Sequence, residues 1–174
     1  MTIEPTDIPG CVVVHPRRHE DDRGHFARTW DGDVLEAAGL NGTVAQCSTS
    51  FNRERGTLRG MHLQDTPHQE AKLVRCTRGS MWDVCLDLRP DSPTRHRWHG
   101  EILSAENGVG LYIPEGCAHG FLTLEDETEV FYMISARYAP DAGRGVHYED
   151  PAFAIEWPGE VRAVHPRDAS YPFV

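Results

Sequence analysis

Short runs of alternating apolar and polar residues recur along this chain, and proline or glycine separates one run from the next. The clearest run is SMWDVCLDL, residues 80–88, in which Trp82 and Val84 fall on one face and Asp83 and Cys85 on the other. Because successive side chains of a strand point to opposite faces, this alternation predicts a strand with two distinct faces.

Four other segments read as strands: AKLVRC (71–76), GLYIP (110–114), GFLTL (120–124) and TEVFYMIS (128–135). They recur at roughly the 8–12 residue spacing that is typical of a sandwich or barrel. We therefore expect an all-β, mostly antiparallel fold, closed or nearly closed as a double sheet. One short helix is predicted at DGDVLEAAGL, residues 31–40, and the irregular tail from residue 149 has room for another.

Length and composition limit the classes of protein that this chain can belong to. Its 174 residues predict a single domain, residues 1–174. The formal net charge of -10 argues against nucleic-acid binding, which needs a basic surface. We expect no membrane span, because no run of apolar residues is long enough, and MTIEPTDIPG lacks the features of a secretory signal. The cytoplasm is therefore the expected location.

The stretch LRGMHLQDTPHQEAKLVR carries two histidines that raise the question of a metal site. As a strand, residues 57–64 would place Leu58 and His62 on one face. A metal site would need two or three further ligands at compatible positions. The residue two positions after His62 is Gln64, and His68 is expected on a loop after a proline. A metal site is therefore the less favoured interpretation.

Proton transfer is the alternative for the same stretch. His62 suits a general base, because the unperturbed pKa of histidine is about 6.5. Lys72, if it points inward, could stabilise a developing enolate. Tyr132 shares a face with Val130 and Ile134, which predicts an inward phenol able to donate a proton. Each residue also has an ordinary structural explanation as a packed or surface side chain, and only the fold can bring the three together.

Two further patterns concern ligand binding. YIPEGCAHGF presents His119 after a turn, in a P-x-G-x-x-H pattern that resembles the second motif of cupin proteins. Arg23 and Arg59 each stand beside a glycine and could contact phosphate oxygens, although solvated arginines are the alternative. By strand alternation Arg59 faces away from His62, unless Gly60 marks a bulge.

Seven segments, in this order and spacing, resemble the dTDP-4-dehydrorhamnose 3,5-epimerase family: DDRGHF, GTLRGMHLQ, AKLVRCTRGSMWDVCLDLRPDSPT, LSAEN, LYIPEGCAHGFLTLEDETEVFY, YAPDAGRGVHYEDPAFAIEWP and HPRD. The resemblance implies a cupin-type antiparallel β-sandwich or jelly roll, a homodimer, and neither a metal nor a redox cofactor. It also implies an epimerase of deoxysugar biosynthesis. The substrate would be a nucleoside-diphosphate 4-keto-6-deoxyhexose, inverted at C3, C5 or both through an enolate.

The resemblance also assigns roles to residues. His62 would be the base, oriented by Asp168 of HPRD, and Lys72 would stabilise the enolate oxygen at C4. Tyr132 would be the acid on the opposite face of the sugar. The residues that would bind substrate are His119 near the sugar, Arg23 and Arg59 at the diphosphate, and Phe26, Gln46 and Tyr138 at the nucleotide, with Gln46 supplied by the partner subunit.

Two positions depart from the family's usual pattern near the nucleotide base. Arg28 stands where a glutamate is common, and Ser48 where an asparagine is common. The sequence therefore leaves open a thymidine, cytidine or guanosine sugar, and it leaves open C3, C5 or both. Three alternatives to the epimerase remain: a keto-isomerase on the same substrates, a metal-dependent cupin enzyme using His62, His68 and His119, and a sugar-binding cupin without activity.

Overall fold

The computed structural model describes all 174 residues, and strands dominate it. The fourteen strands are β1 (Thr2–Pro5), β2 (Val12–His15), β3 (Arg18–Asp21), β4 (Gly24–Ala27), β5 (Gln46–Asn52), β6 (Thr57–Gln64), β7 (Lys72–Arg78), β8 (Ser80–Asp87), β9 (Trp98–Ser104), β10 (Gly110–Ile113), β11 (Cys117–Thr123), β12 (Thr128–Ile134), β13 (Gly143–Gly145) and β14 (Ala163–Val164). There is one α-helix, α1 (Gly32–Ala37), and there are two 3-10 turns, Pro140–Ala142 and Asp168–Ser170.

Two antiparallel sheets form the body of the fold. The first has the strand order β1-β2-β10-β7-β12-β5, and the second has the order β13-β6-β11-β8-β9, with β14 parallel to β6 at its side. The hairpin β3–β4 is a separate two-stranded sheet. The prediction of an all-β, mostly antiparallel double sheet is confirmed, and each of the predicted strands is present.

The core lies between the two sheets, and β8 shows how alternation builds it. Met81 and Cys85 belong to a buried apolar cluster that also contains residues of β7, β10, β11 and β12. Val84 and Leu86 face the other way and pack with Phe153 of the C-terminal segment. The predicted two-faced strand is therefore confirmed, since both of its faces are covered.

The single helix closes the outer face of the first sheet. Its N-cap is Asp31, whose carboxylate accepts a hydrogen bond from the Val34 amide at 3.4 Å. Leu35 is fully buried against the first sheet. The predicted helix is confirmed, although it ends at Ala37 rather than at residue 40. No helix of the structure has the length and hydropathy that crossing a membrane requires.

An irregularity in the pairing of β6 with β11 decides which side chains share a face. His62 lies opposite His119, and Arg59 lies opposite Phe121. Three steps along β6 therefore match two steps along β11, so that β6 carries one extra residue. Gly60 occupies this bulge, with a φ of 145°.

The bulge requires glycine because two backbones meet there. A Cβ on Gly60 would lie 2.5 Å from the Cα of Gly120. Beyond the bulge the alternation of β6 is reversed, so that Arg59 and His62 face the same side. Leu58 packs on the opposite side, in a cluster with Leu122 and Tyr148. The expectation that Leu58 shares a face with His62 is therefore wrong, and the bulge is the reason.

Candidate active site

A cavity of about 500 Å³ opens between the two sheets. Its lining comes from β5, β7 and β12 of the first sheet, from β6, β11 and β13 of the second, and from the C-terminal segment. Its volume is in the range of small-molecule sites. Eight of the residues singled out from the sequence line it: Gln46, Arg59, His62, Lys72, His119, Tyr132, Tyr138 and Asp168.

The structure brings together His62 on β6 and Asp168 in the C-terminal 3-10 turn. The Nε2 atom of His62 lies 2.8 Å from Oδ1 of Asp168, whose side chain is 2% exposed. An ionised carboxylate only accepts hydrogen bonds, so Nε2 carries the ring proton. The lone pair of neutral His62 is therefore on Nδ1, which makes Nδ1 the basic atom.

Arg167 adds a positive charge beside this pair. Its Nε lies 3.3 Å from Oδ1 of Asp168, and its Nη2 lies 3.3 Å from Nε2 of His62. A guanidinium cannot accept a hydrogen bond, and Nε2 already donates to Asp168, so Arg167 acts on the imidazole through its charge.

These surroundings lower the pKa of His62. Burial is the largest cause, and the positive charges of Arg167 and Lys72 act in the same direction. The hydrogen bond and negative charge of Asp168 oppose them without cancelling them. His62 therefore stays neutral, and able to accept a proton, at a lower pH than an ordinary histidine.

Asp168 keeps its negative charge although it is buried. Burial raises its pKa, but hydrogen bonds from His62, from the Gly60 amide at 3.3 Å and from Arg167 outweigh that effect and leave the pKa lowered. A charged carboxylate at this distance orients the imidazole and stabilises its protonated form.

Lys72 opens β7 and points into the cavity, which the sequence had left open. Its Nζ lies 2.9 Å from Oε1 of Glu70 and 3.4 Å from the carbonyl oxygen of His62. The lysine side chain is 11% exposed and the glutamate side chain 6%. The ammonium group is therefore held close to His62 by a carboxylate oxygen and a backbone carbonyl oxygen.

Tyr132 faces the cavity from β12 and packs against the interior core. Burial raises its pKa well above the ordinary value, and the negative charge of Asp83 adds to the rise. The phenol therefore keeps its proton throughout the neutral range, as a proton donor requires. His119 lies beside it, with ring centroids 5.9 Å apart, and its Nε2 is 2.7 Å from Oδ1 of buried Asp83.

Two residues predicted to bind substrate lie outside the cavity of their own chain. Arg23 stands in the turn of the β3–β4 hairpin, where its side chain is 89% exposed and pairs with Asp21 at 2.6 Å. Phe26 on β4 is 69% exposed. Their roles at the diphosphate and the nucleotide stay predictions.

Gln46 and Tyr138 lie together at the mouth of the cavity. Oε1 of Gln46 accepts a hydrogen bond of 2.6 Å from the backbone amide of Tyr138. Gln46 thus lines the cavity of its own chain, and its contribution across a subunit interface stays a prediction.

The three histidines of the metal-cupin alternative do not form a ligand set. His68 lies in a turn that borders a second, smaller cavity, away from His62 and His119. His62 and His119 are each hydrogen-bonded to a different carboxylate. No group of three or more His, Cys, Asp or Glu side chains is arranged to hold a metal ion.

Sequence reasoning missed four residues of the site: Glu70, Asp83, Arg167 and Tyr171. Two of them, Asp83 and Arg167, could have been recognised from their position in the sequence. Asp83 is a carboxylate on a strand face that is otherwise apolar at Met81 and Cys85, and Arg167 directly precedes Asp168. Tyr171, whose ring centroid lies 6.4 Å from that of His62, could not, because it is brought to the cavity by the path of an irregular tail.

Known proteins are similar to this chain over nearly its whole length. A model of the dTDP-4-dehydrorhamnose 3,5-epimerase family matches residues 5–174. A dTDP-4-dehydrorhamnose 3,5-epimerase from Sinorhizobium fredii is 36% identical over 173 residues, which are 99% of this chain and 89% of that protein. A dTDP-4-dehydrorhamnose 3-epimerase from Streptomyces niveus is 38% identical over 169 residues, with 97% and 81% covered.

Solved structures agree with the sequence matches. The dTDP-4-dehydrorhamnose 3,5-epimerase of Bacillus anthracis, solved with TDP and PPi bound, superposes with a TM-score of 0.95 at 37% identity and is covered over 99% of both chains. Family model, relatives and structure all extend over nearly the whole chain. The chain therefore belongs to the dTDP-4-dehydrorhamnose 3,5-epimerase family, and it is an epimerase with that family's cupin-type fold.

Proposed function

We propose that this protein inverts C3, C5 or both in a nucleoside-diphosphate 4-keto-6-deoxyhexose, without a metal or redox cofactor, and that residues 1–174 form one domain for this task. One observation carries the proposal: a neutral histidine with a free Nδ1 and a protonated, buried phenol line the same cavity. An epimerisation needs a base on one face of the carbon and an acid on the other, and His62 and Tyr132 meet that need.

The reaction follows from the chemistry of the 4-keto group. The ketone acidifies the neighbouring C–H bond, and Nδ1 of His62 takes that proton while the electron pair moves to the C4 oxygen. Lys72 stabilises the resulting enolate through a charge-assisted hydrogen bond. Tyr132 then gives its proton to the carbon from the opposite face, which inverts the centre. The imidazolium and the phenolate exchange protons with solvent before the next turnover.

Thymidine is the nucleoside that we propose. A relative of this chain was solved with TDP bound. Arg28, the departure near the expected base site, is held by Asp31 through an ion pair of 2.8 Å at the start of α1. Ser48, the other departure, lines the cavity and is small enough to leave room for a base. The relatives include both 3,5- and 3-epimerases, so that both carbons are candidates.

Solvent exchange tests the function directly. In D2O the wild-type protein should wash deuterium into C3, C5 or both of dTDP-4-keto-6-deoxyglucose, which NMR reports carbon by carbon. We expect His62→Ala to lower the exchange rate by about 10²–10⁴-fold, the usual contribution of a general base. Tyr132→Phe should keep exchange and lose inversion, because deprotonation precedes the step in which the phenol acts.

Other outcomes would point elsewhere. If His62→Ala exchanges as fast as the wild type, His62 is not the base. A product whose keto group has left C4 would favour the keto-isomerase. A rate that depends on stoichiometric, tightly bound metal would favour the metal-dependent cupin.

We also propose a homodimer, with Gln46 reaching the cavity of the partner subunit. The strand β5 that carries Gln46 is an edge of the first sheet, and most of its residues are exposed. The β3–β4 hairpin, which carries Phe26 beside the turn of Arg23, is also exposed over seven of its eight residues. An exposed sheet edge and an exposed hairpin with an aromatic residue are features that subunit contacts cover.

Mixed dimers test this arrangement. Gln46→Ala and His62→Ala chains, each of low activity alone, would be mixed and the heterodimer isolated. If Gln46 acts across the interface, the site that retains His62 receives Gln46 from its partner, and about half of the wild-type activity returns. If Gln46 acts within its own chain, neither site is complete and activity does not return. Sedimentation analysis of the wild type checks the dimer itself.

A further inference from the structure

Glu70 is a buried carboxylate at the wall of the cavity, and sequence reasoning assigned it nothing. Its side chain is 6% exposed, its Oε1 lies 2.9 Å from Nζ of Lys72, and its Oε2 is buried with no hydrogen-bond partner. A buried carboxylate is costly unless a charge compensates it. The only cation in contact with Glu70 is the ammonium group of Lys72.

The contact also determines where the ammonium group points. An ammonium has three N–H donors. In Lys72 one is directed to Oε1 of Glu70 and a second, at 3.4 Å, to the carbonyl oxygen of His62. The third is left for a ligand in the cavity. Two acceptors on the protein thus select one orientation from the many that a long, flexible side chain could adopt.

Charge gives Glu70 a second effect on Lys72. The other ionisable groups that line the cavity are mostly basic: Arg59 on β6, Arg144 on β13, Arg167 beside Asp168, and the histidines His62, His119 and His165. Asp168 is bonded to His62 and Arg167, and nearby Asp83 is bonded to His119. Glu70 is therefore the one carboxylate left to balance the positive charge of Lys72. Without it, the ammonium group would face these positive charges with no negative charge in contact with it.

We propose that Glu70 is a positioning residue for Lys72: it holds the ammonium group in place at the cavity wall and directs its free N–H at the oxygen on which the enolate charge develops. This inference depends on the proposed function, because it assumes that Lys72 meets that oxygen. Glu70 itself does not contact the reacting atoms.

Glu70→Gln tests the proposal, because it preserves the size of the side chain and removes its charge. We expect kcat for solvent exchange to fall on the order of tenfold to a hundredfold near pH 8, with little change in KM, since a charge-assisted hydrogen bond is lost mainly from the transition state. The acid limb of the pH–rate profile depends on His62 and should stay in place.

A merely structural role would give different results. If Glu70→Gln raises KM as strongly as it lowers kcat, or leaves kcat unchanged, the proposal is overturned. Glu127→Gln is the matched control, since Glu127 pairs with Arg78 on the surface, away from the cavity. It should reproduce the wild-type kcat and KM. Wild-type exchange is measured alongside, and its absence would refute the proposed function rather than the role of Glu70.

A second variant covers the case in which Glu70→Gln does not fold. Glu70→Asp keeps the negative charge and shortens the side chain by one methylene group. We expect its kcat to lie between those of the wild type and Glu70→Gln, because Lys72 keeps its negatively charged partner but is drawn away from its position. A Glu70→Asp protein with wild-type kcat would show that the position of the carboxylate does not matter, which contradicts the proposal.

Discussion

His62 is suited to be a base because its two ring nitrogens have different surroundings. Nε2 is committed to Asp168 at 2.8 Å, which leaves the lone pair on Nδ1. Burial and the positive charges of Arg167 and Lys72 lower the pKa of His62, while Asp168 limits the decrease. The protonated form, which cannot act as a base, therefore appears at a lower pH than in an ordinary histidine. We expect the acid limb of kcat/KM to lie below about pH 6.5.

Arg167→Gln should move that acid limb to higher pH. Removing the guanidinium removes a charge that disfavours imidazolium, so the pKa of His62 rises and the base is lost at a higher pH than in the wild type. The pH dependence of kcat/KM for solvent exchange measures the change. Arg162→Gln, at an exposed arginine paired with Glu160, is the control and should leave the limb in place. An unmoved limb in Arg167→Gln would contradict this account of the charge.

At the scale of the element, the shape of β6 decides which of its side chains reach the cavity. Arg59 and His62 share the cavity face only because Gly60 adds one residue to the strand. The bulge also brings the backbone of β6 against Gly120 of β11, where a side chain on either glycine would collide. Bulges next to active sites commonly redirect side chains in this way.

Gly60→Ala should destabilise the protein by about 2–4 kcal/mol, because the added Cβ meets Gly120 at 2.5 Å and the φ of 145° strains an L-residue. Gly39→Ala is the matched control. Gly39 also has a positive φ, 76°, but nothing lies within 4 Å of its Cβ position, so the cost should be about 1 kcal/mol. Urea denaturation measures both free energies of unfolding, and equal costs would contradict the close approach as the reason for glycine.

At the scale of the molecule, the two sheets form a cavity that collects side chains from seven separate parts of the chain. Arg59 at its wall is fixed by a 2.7 Å hydrogen bond from its Nε to Oδ1 of Asn52. A guanidinium that is already oriented loses little side-chain entropy when it binds a phosphate group. We therefore expect the folded protein to be stabilised by a nucleoside diphosphate alone.

Thymidine diphosphate should raise the Tm by about 5–10 °C at a hundredfold excess over its Kd, which corresponds to about 2.7 kcal/mol. Differential scanning fluorimetry with thymidine, cytidine and guanosine diphosphates at equal concentration compares the bases. Arg59→Gln should lose most of the shift, whereas His62→Ala should keep it, because the role that we propose for His62 concerns the sugar and not the diphosphate. Equal shifts with all three nucleotides would contradict the preference for thymidine.

Local pattern in the sequence was enough to predict five of the fourteen strands, β7, β8, β10, β11 and β12, together with the helix near residue 31 and the inward face of β12. These predictions held because alternation and capping depend on residues a few positions apart. Recognition of the family added the pairing of His62 with Asp168, which no local pattern contains.

Only the tertiary structure decided how the site is assembled. His62 and Asp168 are 106 residues apart, and the tail that carries Asp168 and Tyr171 has no periodicity that would locate it. The side of β6 on which Arg59 lies depended on the bulge at Gly60, where the backbones of two strands come so close that only glycine fits. The sequence by itself determined the elements and the residue types for proton transfer. Their geometry followed from contacts between distant segments, since sheet pairing is set by packing across the molecule rather than along the chain.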